Sequence, residues 1–270
     1  MTSIAALGAA AGAIFKRDLL LFVSYRSRIA TTFFTTAVSL TLFYYVSRLV
    51  HSRAVGSPDD YYAFVVIGLI IFGVLSSTLS TPVSTVRAEL QAGTFERLVL
   101  SPFGAVRSIA ALMLFPLALA TAVAAASLVF AAVTFGLDLR WSTAPLAVPI
   151  GLLGAAAFMP FGLAMAAAVV VFKQTNAGAT FVMTGITLLA GLYFPVALLP
   201  DWIRWASEVQ PFTPAVDLLR NVLVGTSLEH EAASDLAKLA GFAIVTMPLS
   251  LLLLRTAVRL SRRRGTIIEY

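Results

Sequence analysis

The sequence has 270 residues, of which 59% are hydrophobic and only 12% charged, with a formal net charge of +6 and a mean hydropathy of +0.92. Soluble domains carry about 25% charged residues, so half that share, gathered between long apolar runs, excludes a soluble globule and indicates an integral membrane protein. Cysteine is absent, which excludes disulfides, thiolate metal sites and a cysteine nucleophile.

Six runs are free of Asp, Glu, Lys and Arg: 29–47, 61–86, 108–137, 141–172, 174–200 and 239–254. A straight crossing needs about 20 apolar residues. The last run is short, but Lys238 and Arg255 at its ends can snorkel to the interfaces. The two longest runs must tilt, kink or project beyond the bilayer. The expectation is one all-α membrane domain over residues 1–270 with six transmembrane helices.

In chain order, residues 1–18 come first. Ile4, Leu7, Ala11, Ile14 and Phe15 fall on one stripe and Lys16-Arg17 follow, which predicts an interfacial helix rather than a signal peptide. The first span, about 29–48, places Thr31, Thr35 and Ser39 on one face and Tyr44 and Tyr45 near its far end. His51 in the following loop reads as a solvated histidine. The second span ends in a hydroxyl run that includes Ser77, Ser80 and Thr81 around Pro82. Those hydroxyls either bond back to their own helix or line a wet path.

Arg87 to Pro102 then brings Arg87, Glu89, Glu96 and Arg97 together between two apolar runs. Hydrocarbon does not tolerate that density, so the stretch reaches water. Leu90, Phe95, Leu98 and Val99 share one face, which predicts a short amphipathic helix over 87–102, either a charged connector or an element that takes force from a soluble partner. In the fourth span, Pro160-Phe161-Gly162 is a candidate hinge. The fifth span covers about 177–196. Residues 195–225 refuse to cross, because Pro195, Pro200, Pro211 and Pro214 divide them. They predict two amphipathic half-helices, with Trp202 and Trp205 on the first and Asp217, Arg220 and Asn221 on the polar face of the second. The sixth span ends in a basic tail.

With both termini, the 87–107 loop and Lys173 on one side, that side holds 13 of the 19 Lys and Arg. The basic side is cytoplasmic, which puts the hairpin 195–225 outside. No phosphate-binding glycine loop is present, no ionisable group lies deep in a span, and two loop histidines make no catalytic cluster. No catalytic or metal-ligating residue is therefore expected, and energy must come from another subunit.

Three stretches resemble the membrane subunit of ABC-2-type ABC exporters: Glu89 to Pro102 with its Gly-Thr-x-Glu, the set Gly191 to Pro195, Leu199 to Trp202 and Gln210 to Pro214 followed by Leu219-Arg220 and Gly225, and the basic tail ending Arg264-Gly265 and Tyr270. The resemblance implies that 87–102 is a coupling helix, contacting an ATPase through Glu89, Gly93, Phe95, Glu96, Arg97 and Leu98, with Phe95 and Leu98 filling an apolar slot. It implies an external re-entrant hairpin gated by Pro195, Trp202, Trp205, Pro211, Pro214 and Arg220. It further implies a cytoplasmic ABC ATPase in two copies that binds ATP and Mg, no cofactor in this chain, a second permease copy, and an amphipathic cargo (lipid-linked glycan, lipid or hydrophobic drug) moved outward across the cell membrane. Thr31, Thr35, Ser39, Tyr44, Tyr45, Ser77, Ser80 and Thr81 are then the candidate path lining; the tyrosines serve equally as interface anchors. Membrane lipid is an expected partner and nucleic acid is not. The alternative, a secondary transporter or channel working without ATP, would need buried ionisable groups or an inverted repeat.

Overall fold

A computed structural model describes residues 4–24, 26–49, 57–96, 105–172, 184–185, 200–228 and 230–263. Among them are helices α1 (Ile4–Ser24), α2 (Arg26–Leu49), α3 (Pro58–Gln91), α4 (Ala105–Leu112), α5 (Leu114–Phe135), α6 (Ala147–Phe172, after a 3-10 turn at Ala144–Leu146), α7 (Asp201–Val209), α8 (Phe212–Val224) and α9 (Ala232–Arg263), and no strand. Four stretches are long and apolar enough to cross a membrane: Pro58–Gln91, Arg107–Phe135, Ala144–Phe172 and Ala232–Arg263. The protein is a multi-pass membrane protein. Helix α2 has the length for a crossing but carries arginines at both ends and many hydroxyls between them. The fifth expected span lies outside the described residues except for 184–185.

Several boundaries depart from the sequence expectation. Helix α1 does not stop at residue 18 but runs on through Ser24, and its Phe15 and Phe22 pack on Phe115 of α5, with ring centroids 5.6 and 5.8 Å apart. Helix α3 starts in the polar loop, because Ser57 and Asp60 close a capping box. The Ser57 hydroxyl accepts from the Asp60 N–H, and the Asp60 carboxylate accepts from the Ser57 N–H at 3.0 Å. Arg48 reaches across to Asp59 at 2.8 Å and ties the end of α2 to this start.

Prolines act differently according to what surrounds them. Pro116 separates α4 from α5, since it cannot donate to the Leu112 carbonyl one turn earlier. Pro82 stays inside α3 and leaves the Thr78 carbonyl without its helical donor. At that point α6 presents Gly162. A Cβ there would stand 2.7 Å from the Thr78 and Leu79 carbonyl oxygens and 3.0 Å from Pro82 Cγ, so only glycine permits this approach. The expected hinge residue is thus a point of close backbone approach between α3 and α6.

Helices α3 and α6 form the centre, and α6 packs extensively on α9. The core falls into two apolar clusters, both built on α3 and α6. One adds Phe212, Val216 and Leu219 of α8. The other adds Phe95, Ile109 and Leu112 and the Leu254, Ala257 and Val258 end of α9.

Candidate functional site

The charged stretch is not one helix over 87–102. Arg87, Glu89 and Leu90 belong to the last turns of α3, and the chain leaves the helix at Gly93, whose φ is +65°. The Gly93 N–H donates to the Leu90 carbonyl at 3.1 Å and the Thr94 N–H to the Glu89 carbonyl at 3.0 Å. This is a Schellman cap, which satisfies the last helical carbonyls and needs a left-handed residue at its turn. The Thr94 hydroxyl also donates to the Glu89 carboxylate. Gly-Thr after a glutamate therefore has a local meaning: the glycine turns the chain and the threonine locks that turn back on Glu89.

The lock decides where the next side chain goes. Phe95 is 1% exposed, buried in the chain's own core beside Ile109 and Leu112 of α4, Leu163 of α6 and Leu254 of α9. The expectation that Phe95 fills a slot in a partner is corrected here. An aromatic beside charges reads as a contact anchor in sequence, but the fold covers it first. Glu96 is exposed and Glu89 half-buried. Arg97 and Leu98 lie outside the described residues.

The hairpin helices also differ from one another. Trp202 and Trp205 on α7 are exposed, with the Trp205 indole donating to the Trp202 carbonyl at 2.9 Å. Helix α8, expected to show a polar face, is instead buried along most of its length, Pro214 and Arg220 included, and Pro211 just before it is buried too. The Arg220 guanidinium lies 3.5 Å from the Phe64 ring centroid and donates to the Phe64 carbonyl at 3.0 Å, which fixes α8 to the start of α3. A planar cation over an aromatic face is the arrangement an arginine suits and a lysine does not. Pro195 lies outside the described residues.

One clamp was not legible beforehand. The α8 carbonyls at its C-terminus are satisfied by the connection between α5 and α6: the Arg140 N–H donates to the Leu223 carbonyl at 2.8 Å and the Thr143 hydroxyl to the Val222 carbonyl at 2.6 Å. Gly225 closes the helix with φ +80°, and the Arg140 guanidinium rests where its Cβ would be. A cation there also suits the negative end of the helix dipole.

The expected path residues scatter. Tyr44 stacks on Phe135 at 4.8 Å, meets the ring of buried Tyr62 edge-on at 5.4 Å, and accepts from Arg48 at 3.2 Å, while Tyr45 is exposed. Thr31 and Thr35 are exposed and Ser39 half-buried on α2. The Thr31 hydroxyl donates to the Ser27 carbonyl. Ser77 and Ser80 donate to the carbonyls of Val74 and Ser76, at 2.6 and 2.8 Å, so these hydroxyls are satisfied within α3 and need no aqueous path. Thr81 is half-buried. A separate apolar groove of about 210 Å³ runs between α3, α5, α6 and α8, lined by Ile67, Ile71, Thr121, Trp141, Gly151 and Leu219 among others.

Four stretches able to span a membrane, with a capped, charged turn after one of them and a clamped pair of short helices, make this a polytopic helical membrane protein. The chain belongs to the ABC-2 type transporter family, which it matches over residues 10–224. It is also 26% identical over 116 residues to Nodulation protein J of Rhizobium meliloti (strain 1021), a stretch covering 43% of this chain and 44% of that protein.

Proposed function

We propose that this chain is the membrane subunit of an ATP-driven exporter that moves an amphipathic cargo, a lipid-linked glycan, lipid or hydrophobic drug, from the cytoplasmic side outward. The family match over residues 10–224 carries the reading. Two permease copies associate with two cytoplasmic ATPase subunits, which bind ATP and Mg. The capped turn after Gln91 seats on the ATPase, with exposed Glu96 and neighbouring Arg97 and Leu98 at the contact and Glu89 holding the turn's shape. Helix α7 lies at the outer interface, anchored by Trp202 and Trp205, and gates exit. Both termini are cytoplasmic, as the basic residues favour.

The test is reconstitution. The chain and its ATPase are purified together, placed in lipid vesicles, and assayed for ATP hydrolysis with and without candidate cargo and for cargo reaching the far leaflet. ATP-dependent movement with cargo-stimulated hydrolysis is expected. Failure to co-purify with any ATPase, or movement that proceeds without ATP, would replace this reading with secondary transport or a channel.

A further inference from the structure

Helices α6 and α9 lie side by side, and near the basic end of α9 they leave an open groove of about 610 Å³. Ala168 and Phe172 of α6 and Leu253 and Leu260 of α9 contribute its apolar lining. Arg259 and Arg263, one helical turn apart and both exposed, also line it. The charge-free run of α9 ends at Leu254. At 1.5 Å per residue, Arg259 stands about 7 Å beyond that point and Arg263 about 13 Å. The polar layer of a bilayer extends roughly 5–8 Å past the hydrocarbon on each side. Arg259 is therefore at the level of lipid phosphates, Arg263 just above it, and the apolar lining reaches down to the level of the acyl chains.

Among the described residues no carboxylate forms an ion pair with either arginine. Helix α6 carries no charged residue, and the acidic residue of α9, Asp235, sits 24 positions before Arg259 at the opposite end of the helix. An apolar slot beneath two cations matches an amphiphile with an anionic head and a hydrocarbon tail. We propose that this groove binds an anionic phospholipid, with Arg259 and Arg263 on its phosphate and one acyl chain along α6. The site holds for whichever leaflet the basic end faces.

The full-length chain in mild detergent, incubated with equal amounts of phosphatidylglycerol and phosphatidylcholine, is read by native mass spectrometry. Phosphatidylglycerol is expected to be retained over phosphatidylcholine. Replacing both arginines (R259Q/R263Q) should weaken its retention about thirtyfold, each arginine near an anionic surface being worth about fivefold. The control R255Q/R262Q removes the same charge from exposed arginines off the groove and should stay near wild type. Ala168→Phe, which fills the slot and leaves both arginines in place, should also lose the lipid. Millimolar inorganic phosphate should not displace it. Equal loss in both double variants would show diffuse charge attraction and overturn the site. So would undiminished binding by R259Q/R263Q, or displacement by phosphate alone. Lipid-free protein in which cysteines at Ala168 and Leu260 crosslink between copies would assign the groove to a permease–permease contact instead.

Discussion

The crossing at Gly162 makes a quantitative prediction. In Gly162→Ala the new Cβ starts 2.7 Å from two carbonyl oxygens of α3 and 3.0 Å from Pro82 Cγ. Carbon–oxygen contacts in proteins settle near 3.3 Å or more, so the helices must part by roughly 0.6 Å. The atoms met are backbone and a proline ring, which cannot rotate away. Overpacking of this kind costs about 1–3 kcal/mol. The alanine also gains about 0.5–1 kcal/mol of helix propensity, which would mask part of that cost. Gly73→Ala supplies the correction, since Gly73 lies within α3 with nothing within 4 Å of its would-be Cβ. It should stabilise by the propensity gain alone. Equilibrium unfolding of both variants in mixed detergent, followed by tryptophan fluorescence, should therefore separate them by about 1–3 kcal/mol, with Gly162→Ala the weaker. If the two variants coincide, the close approach of α3 and α6 is not a constraint and the packing argument fails.

Other outcomes follow from the same structure. Phe95→Ala should destabilise the permease itself by about 3–5 kcal/mol, whereas Glu96→Arg should leave unfolding unchanged and lose the ATPase in a pull-down; a stable Phe95→Ala that merely sheds the ATPase would restore the anchor role. Gly225→Ala should lower the melting temperature, because a left-handed non-glycine residue costs about 1–2 kcal/mol and the Arg140 side chain must also move; an unchanged melting temperature counts against the clamp. The chain has no cysteine, so single cysteines report topology cleanly. Ser227→Cys should react with an impermeant thiol reagent in intact cells and Glu96→Cys should not, the reverse pattern inverting the orientation.

Sequence reasoning reached the membrane class and four spanning stretches, because charge-free length is a local property that tertiary contacts do not alter. The charged stretch stood out from the two apolar runs for the same reason. Sequence reasoning misplaced the end of α3, since helical periodicity continues smoothly from Val86 into Glu89 and Leu90, and the break depends on the φ of one glycine. The sidedness of Phe95 was legible but its partner was not; a periodic stripe says that a face is covered, never by which chain. Arg220 shows the same limit. With Asp217 and Asn221 it marks a polar face of α8, yet a ring and a carbonyl from residue 64, far away in sequence, receive it. The Ser57-Pro-Asp-Asp60 cap is legible in the sequence, since its spacing is that of a capping box.

The close approach at Gly162 divides helix α3 into unequal arms. Its contact with Gly162 at Pro82 lies nine residues from the Gln91 end and twenty-four from the Pro58 end. At 1.5 Å per residue the arms measure about 13 and 36 Å. A rotation about that point that moves the charged turn by one unit of length sweeps the Arg48–Asp59 end through nearly three. Strokes too small to notice at the capped turn would then be read most clearly at the opposite surface, where probes on Pro58 or Asp59 have the longer arm.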